Sequence, residues 1–207
     1  MSRVNPDRLS KWFYRTMRWL TRQSFQRYFR LAVEGLDHWP MQGPAILCPK
    51  HQRWEDVPIV GLTFPRPLYY VAKVELFQNL ASRTLVQALG GIPLDRQRPQ
   101  ATLSTFRSLN RILQRQEQIV LFPEGTYVPG QVGCGKHRFI QLLLRLQTRL
   151  PQKRLPFIPV GIRYQPDPPG CQVRVRIGLP ITTEGPEQAG NLTRQIMAAI
   201  EKLQALD

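Results

Sequence analysis

The sequence predicts a single α/β domain with a central mixed, largely parallel β-sheet flanked by helices, preceded by an N-terminal amphipathic helical segment. Short apolar runs, typical of buried strands, alternate with longer segments whose apolar residues recur at helical spacing. Many of the 19 prolines stand at the edges of these segments. Strands that alternate with helices favour an α/β fold, and 207 residues suit one domain of ordinary size.

Each element of the predicted domain is placed by the spacing of its apolar residues. Leu103, Phe106 and Leu109 recur on one side of a helix, whereas Val173 and Val175 alternate with polar residues as in a strand. We expect strands at 45–48, 68–72, 92–94, 118–122, 157–164 and 172–177. Between and after them we expect helices at 79–89, 102–116, 138–150 and 191–206.

Residues 1–40 form the predicted N-terminal segment, and residues 41–207 form the main domain. At helical pitch, five basic residues make one narrow stripe and six apolar residues fall on the opposite side. The stripe is Arg8, Lys11, Arg15, Arg18 and Arg22, and the apolar side is Leu9, Trp12, Phe13, Met17, Trp19 and Leu20. Such a helix either packs on the core or lies on an anionic bilayer. Bulky aromatic residues opposite a basic face favour the bilayer.

The charge balance of the chain points to an anionic partner. Lys and Arg number 29 against 14 Asp and Glu, which gives a formal net charge of +15. Nucleic acid, an acidic membrane surface or a phosphorylated substrate would each suit it, but no nucleic-acid-binding motif is present. No apolar stretch reaches the roughly 18 residues of a spanning helix, and no signal peptide is evident. Three widely spaced cysteines favour a reducing compartment.

Three polar segments follow predicted strands or apolar runs, where side chains often face a pocket. In the first, His51 could act as a base if Asp56 accepted a hydrogen bond from one ring nitrogen. Residues five apart on a regular helix lie about 140° from each other, so this pair can meet only across a turn or a helix start. The second segment, 90–96, ends in Arg96, which could bind phosphate. The third, 122–126, is a glycine turn suited to an anion or oxyanion. Each also has an ordinary surface interpretation.

Taken together, these segments resemble the glycerolipid acyltransferase family, which is marked by four ordered blocks. His51 and Asp56 match its His-x4-Asp block, and 90–96 match a Gly-Gly-apolar block that ends in Arg. The Phe-Pro-Glu-Gly-Thr block is matched without a change by 122–126, and 157–160 match an apolar stretch around a proline. A further similar stretch begins at Lys73. The resemblance runs from about 44 to 178, and the third block is its most specific part.

The resemblance implies a glycerolphosphate acyltransferase-like fold and an acyl-transfer reaction without metal or organic cofactor. His51, oriented by Asp56, would take the proton of an acceptor hydroxyl, which then attacks the thioester of acyl-CoA or acyl-carrier protein. Further residues are expected to bind the two substrates. Those at the glycerophosphate end are Lys73, Arg96, Glu124, Gly125 and Thr126, and Pro159 is expected near the acyl donor.

The implied reaction converts 1-acylglycerol 3-phosphate, a lysophospholipid, into phosphatidic acid for phospholipid biosynthesis. We expect a peripheral protein at the cytoplasmic face of a membrane, with an anionic membrane surface and no nucleic acid as partner. Glycerol 3-phosphate or another lysophospholipid stays open as acceptor. A basic nucleic-acid-binding protein or a non-catalytic membrane-surface protein is the alternative of another class. Two departures bear on the acceptor: Arg53 replaces a small hydroxyl residue frequent in the family, and Tyr127 replaces a frequent Arg.

Overall fold

The fold is built on one seven-stranded sheet, seen in a computed structural model that describes residues 9–94, 99–151 and 153–205. The strands are β1 (Phe29–Glu34), β2 (Ile46–Pro49), β3 (Tyr69–Lys73), β4 (Gly91–Leu94), β5 (Ile119–Val120), β6 (Phe157–Asp167) and β7 (Gly170–Ile177). Their order across the sheet is β1-β7-β6-β2-β5-β3-β4.

The sheet is mixed and mostly parallel, which confirms the predicted fold class. Strands β6, β2, β5, β3 and β4 run parallel to one another. Strand β7 returns antiparallel to β6, and β1 pairs in parallel with β7. The carboxyl ends of β2, β3, β4 and β5 therefore meet at one edge of the sheet, where α/β proteins commonly bind ligands.

The described part of the chain contains six α-helices, which connect or flank these strands. They are α1 (Lys11–Phe25), α2 (Asp56–Thr63), α3 (Leu80–Ala88), α4 (Pro99–Gln114), α5 (His137–Gln147) and α6 (Ala189–Ala205). Ser10 and Asn79 cap α1 and α3 by accepting hydrogen bonds from backbone amides three residues on. Gly90, at a φ of +87°, ends the α3 region, where a residue with a Cβ would be strained. No helix within the described ranges is long and apolar enough to cross a membrane.

Each face of the sheet buries its own apolar cluster. On one face, Ile158, Val160 and Ile162 of β6 join residues of α2. On the other, α4, α5 and α6 cover the sheet with side chains such as Leu143 and Ile196. This division follows from the strand geometry, because successive side chains of a strand point to opposite faces.

The N-terminal segment differs from the expected 40-residue helical unit. The described helix ends at Phe25, and Phe29–Glu34 is a strand of the sheet. Trp39 is only 3% exposed and belongs to the core. The alternation of Phe29, Leu31 and Val33 with other residues is a strand pattern, so the sheet begins well before residue 41. Arg8, the first residue of the basic stripe, lies outside the described residues.

Helix α1 combines features of both interpretations offered for it. Tyr14 is buried, and Arg18, from the basic stripe, donates hydrogen bonds to the backbone oxygens of Leu62 at 3.1 Å and Pro65 at 3.0 Å. These contacts fix the helix on the end of α2. Trp12 and Trp19 face outwards, with exposed fractions of 75% and 60%. The helix therefore docks on the domain through one side and leaves two tryptophans uncovered.

Candidate active site

The parallel strands end around a groove of about 1290 Å³. His51 follows β2, Lys73 ends β3, Leu94 ends β4, and Phe122 follows β5, and all four line the groove. Helix α1 supplies a further wall through Tyr14 and nearby residues. Side chains from three of the four matched sequence segments therefore share one cavity.

His51 and Asp56 meet across a turn, which satisfies the geometric condition set by their spacing. The chain leaves β2, turns, and enters α2 at Asp56, its first residue. The distance from His51 Nδ1 to Asp56 Oδ2 is 3.2 Å. A carboxylate only accepts hydrogen bonds, so Nδ1 carries the proton and Nε2 is left as the basic nitrogen. Asp56 is fully buried, whereas the His51 side chain is 13% exposed towards the groove.

The Asp56 carboxylate is held by four donors. Oδ2 accepts from His51 Nδ1, from the backbone amide of Gln52 at 2.5 Å and from that of Arg53 at 2.8 Å. Oδ1 accepts from the Tyr164 hydroxyl at 2.6 Å. A buried carboxylate is stable only when its oxygens accept hydrogen bonds. The four donors also fix which oxygen of Asp56 faces the His51 imidazole.

A buried ion pair holds the other end of the same loop. Lys50 Nζ lies 2.7 Å and 2.9 Å from the two Glu124 oxygens and also donates to Val128 O at 2.7 Å. The Glu124 oxygens further accept from the amide of His51 at 2.9 Å and that of Gly133 at 2.7 Å. Lys50 is 0% and Glu124 1% exposed. Glu124 thus ties residues 50–55, the histidine loop between β2 and α2, to the segment around Gly133. The Glu124 side chain does not line the groove.

The His51 ring lies between two aromatic rings. Phe122 stacks on it with centroids 3.8 Å apart, and Tyr127 tilts against it at 4.4 Å. Both rings come from the turn after β5, in which Gly125 adopts a φ of +68°. The Gly125 amide donates to Phe122 O at 3.0 Å, so it closes the turn and is not directed at an oxyanion. The glycine therefore shapes the turn that positions both rings.

The groove is lined by both apolar and basic side chains. The apolar part includes Met17, Leu62, Val71, Leu76 and Leu85. The cations are Arg18 of α1, Lys73 at the end of β3, and Lys136, Arg138 and Arg145 at the start and middle of α5. Among the described lining residues the only carboxylate is that of Glu75. This combination suits a ligand with a long hydrocarbon chain and an anionic head.

Two tyrosines join α1 to β3 beside this wall. The Tyr14 and Tyr70 hydroxyls share a hydrogen bond, and both line the groove. Burial, the largest cause, raises the pKa of Tyr14 and of Tyr70 above the ordinary tyrosine value. Both phenols therefore stay neutral, beside the Arg18 guanidinium that also lines the groove.

The structure brings together some of the expected binding residues and separates others. Gly125, Thr126 and Lys73 line the groove, and Arg96 lies outside the described residues. Pro159 is buried in β6 opposite Cys48 of β2 and does not line the groove. Glu124 pairs with Lys50 and does not line the groove. The geometry therefore places neither Pro159 nor Glu124 in the groove.

Two residues of the site were not predicted from the sequence. Lys50 directly precedes His51, and a lysine at the end of a fully apolar strand was a usable signal for a buried ion pair. Tyr164 lies more than 100 residues from Asp56 in sequence and has no local signal beyond the alternation that places it with Ile158, Val160 and Ile162. Arg53 lies with its guanidinium 4.1 Å from the Tyr164 ring centroid and does not line the groove.

Within the described part of the chain, no three metal-ligating side chains cluster. A family model described as Acyltransferase matches residues 30–163. A 1-acyl-sn-glycerol-3-phosphate acyltransferase of Bacillus subtilis (strain 168) is 29% identical over 97 residues, which make up 46% of this chain and 48% of that protein. The match thus spans about half the length of this curated relative.

The fold is also similar to a crystal structure of the 1-acyl-sn-glycerophosphate (LPA) acyltransferase PlsC from Thermotoga maritima. The TM-score is 0.71 at 19% identity, with 95% of this chain and 82% of that chain covered. The family match covers more than half of the chain and includes His51, Asp56 and the 122–126 turn. This chain therefore belongs to the acyltransferase family.

Proposed function

We propose that the enzyme transfers a fatty acyl group from acyl-CoA or acyl-carrier protein to the free hydroxyl of 1-acylglycerol 3-phosphate, which gives phosphatidic acid. The observation that carries this proposal is the His51–Asp56 pair, with His51 Nδ1 3.2 Å from Asp56 Oδ2, beside a groove lined by apolar and basic side chains. The similarity to the Bacillus subtilis protein supports the choice of acceptor.

The chemistry needs a base and positioning, because a thioester is already an activated acyl group. His51 Nε2 accepts the proton of the acceptor hydroxyl, while the oxygen of that hydroxyl forms a bond to the thioester carbonyl carbon. The negative charge of Asp56 stabilises the imidazolium that results. The tetrahedral intermediate then collapses with cleavage of the carbon–sulfur bond, and the leaving thiolate takes the proton from His51. The products are an ester and a free thiol.

The groove supports a lipid acceptor by its size and its charge. Its volume of about 1290 Å³ exceeds the roughly 300–1,000 Å³ of common small-molecule sites, which leaves room for an acyl chain and a head group. Lys73 lines the groove as the phosphate-binding cation we propose, and Thr126 adds a hydroxyl to the same lining. Arg96 is proposed as a second phosphate-binding cation.

The reaction is tested by incubating the protein with labelled acyl-CoA or acyl-carrier protein and a panel of acceptors. The panel contains 1-acylglycerol 3-phosphate, glycerol 3-phosphate and other lysophospholipids. We expect transfer to 1-acylglycerol 3-phosphate, and a loss of more than about 10³-fold in His51→Ala. His38→Gln, at a histidine bonded to Ile177 O away from the groove, is the matched control. Undiminished transfer by His51→Ala would remove the proposal, and preference for glycerol 3-phosphate would change the acceptor.

We also infer that α1 holds the enzyme on an anionic membrane surface, as a peripheral protein at the cytoplasmic face. Trp12 and Trp19 are the support, because indole rings favour the membrane–water interface and these two are left uncovered by the domain. Lys11, Arg15 and Arg22 are exposed on the same helix and add attraction to acidic lipids. All three cysteines are unpaired, which fits the reducing cytoplasm.

Flotation with anionic liposomes at low salt tests the membrane proposal. We expect the wild type to float with the liposomes and Trp12→Ala/Trp19→Ala to remain mostly in the bottom fraction. Leu179→Ala removes an equally exposed apolar side chain, 69% exposed, from another part of the surface and should float like the wild type. Equal flotation of all three proteins would show that α1 is not the membrane-binding element.

A further inference from the structure

Tyr164 of β6 contacts the His51–Asp56 pair of the candidate active site through Asp56. Its hydroxyl donates to Asp56 Oδ1 at 2.6 Å, whereas His51, Gln52 and Arg53 all donate to Oδ2. We propose that Tyr164 is a positioning residue for acyl transfer, which fixes the Asp56 carboxylate and through it the His51 imidazole. This inference rests on the proposed function, because it assigns Tyr164 to the same reaction.

The sheet explains why a residue of β6 reaches this point. Strand β2 ends at Pro49, which pairs with Val160, and the histidine loop begins there. Strand β6 continues alongside β7 to Asp167, with Tyr164 opposite Val173. Tyr164 lies four residues beyond Val160 and on the same face. Its side chain therefore reaches the loop that β2 has just left.

The Tyr164 ring is held from two other directions. The Arg53 guanidinium lies 4.1 Å from the ring centroid, and Phe29 of β1 meets the ring nearly edge-on at 6.3 Å. Phe29 itself contacts Phe25 at the end of α1, and Phe25 contacts Trp54 of the histidine loop. A tyrosine fixed in this way supplies its hydroxyl at a defined place, which a mobile donor could not do.

The hydrogen bond matters because an aspartate carboxylate turns easily about its terminal torsion. Three donors on Oδ2 leave Oδ1 buried, and removal of the phenol would leave that oxygen without its donor. Burial, followed by the Asp56 charge, raises the pKa of Tyr164, so the phenol keeps its proton and remains a donor. Arg53 and Glu55 are the other charged groups that act on Tyr164. The Lys50–Glu124 pair contacts the backbone of His51.

The first test is Tyr164→Phe, assayed with acyl-CoA and 1-acylglycerol 3-phosphate. We expect kcat to fall about tenfold, with KM for each substrate within about twofold of the wild type, because the lost hydrogen bond is to a charged group outside the groove. The control is Tyr28→Phe, which removes an exposed hydroxyl from a ring that packs on Phe29 with centroids 4.9 Å apart. This variant should leave kcat unchanged. Unchanged kcat in Tyr164→Phe would overturn the inference.

A pH profile separates positioning from a loss of fold. Without the phenol, the Asp56 charge is less dispersed and stabilises the protonated imidazole more strongly. We therefore expect the acidic limb of kcat/KM to move to higher pH in Tyr164→Phe. In the Asp56→Asn background the same change should have no further effect on kcat, because Tyr164 acts through Asp56. An unmoved limb, or full additivity with Asp56→Asn, would overturn the inference.

An NMR titration tests the inference without any turnover. The chain has three histidines, so the His51 ring signal is assigned by its loss in His51→Gln. We expect its titration midpoint to move to higher pH in Tyr164→Phe and to stay in place in Tyr28→Phe. If the wild type transfers no acyl group to any acceptor, the proposed function fails. An unmoved midpoint would instead overturn the Tyr164 inference.

Discussion

Asp56 and Glu124 are two buried carboxylates, exposed by 0% and 1%, and they hold opposite ends of one short segment, 50–56. Glu124 faces the ammonium group of Lys50, also buried, and accepts from two backbone amides. Asp56 faces the His51 ring, which lines the groove. Both sites are built on a carboxylate, but that of Glu124 faces a permanent cation and that of Asp56 faces an imidazole.

The partner of each carboxylate explains the difference. The Glu124 charge is balanced by Lys50 in the resting protein, so the pair ties two loops together with no change of charge. The Asp56 charge faces an imidazole that gains a proton during the proposed reaction, so part of its electrostatic effect is realised in the transition state. We therefore expect changes at Glu124 and Lys50 to act on stability, and changes at Asp56 to act on rate.

The largest effect is expected from Lys50→Met, which leaves Glu124 charged and buried without its ammonium partner. The free energy of unfolding should fall by about 3–5 kcal/mol, as measured by urea denaturation. In Lys50→Met/Glu124→Gln the unpaired charge is gone, and part of the loss should be recovered. Arg30→Met breaks the exposed Arg30–Asp167 pair at 2.8 Å and should change stability by less than about 1 kcal/mol. If Lys50→Met changed the free energy of unfolding as little as Arg30→Met, the structural role given to the Lys50–Glu124 pair would be contradicted.

The next effect is expected from Asp56→Asn. The side chain keeps its size but loses the charge that stabilises the imidazolium, so kcat should fall by about 10²–10³-fold. Urea denaturation should show a smaller loss of stability than in Lys50→Met. Retention of wild-type kcat by Asp56→Asn would show that the two carboxylates do not differ in the way described.

A smaller effect is expected at Tyr127, which packs on His51 from the groove side at 4.4 Å. Tyr127→Ala removes one of the two rings that hold the imidazole, and kcat should fall several-fold. Tyr127→Phe keeps the ring and serves as the matched control, with kcat within about twofold of the wild type. If both variants lose activity equally, the hydroxyl of Tyr127 and not its packing is what the enzyme uses.

The smallest effect is expected from alkaline pH, which should weaken the Asp56 end of the segment through Tyr164. Burial raises the pKa of Tyr164 above the ordinary value of 10.0. The folded state then retains a proton that the unfolded chain releases, so this contribution to stability is complete below about pH 10 and is lost as the pH rises further. Urea denaturation at pH 8 and above pH 10 should show a shallower decline in Tyr164→Phe. Tyr14 and Tyr70 are present in both proteins, so their contributions to stability decline equally in both. Equal slopes of stability against pH in the wild type and Tyr164→Phe would contradict the prediction.

Much of the fold was predictable because strands and helices leave periodic patterns in the sequence. All six predicted strands and all four helices predicted for the main domain occur, with shifted ends. Strand β1 was missed because its pattern follows directly on an aromatic helix. Helix α2 was not predicted, since its eight residues are almost uniformly apolar and show no amphipathic period.

By itself the sequence determined the α/β class, the motif residues His51 and Asp56, and the need for them to meet across a turn. These properties are carried by residue order and local periodicity. Only the tertiary structure decided that Glu124 pairs with Lys50, that Pro159 lies away from the groove and that Tyr164 supports Asp56. Such contacts depend on strand register and chain crossovers, which bring together residues up to 108 positions apart, and no local pattern encodes them.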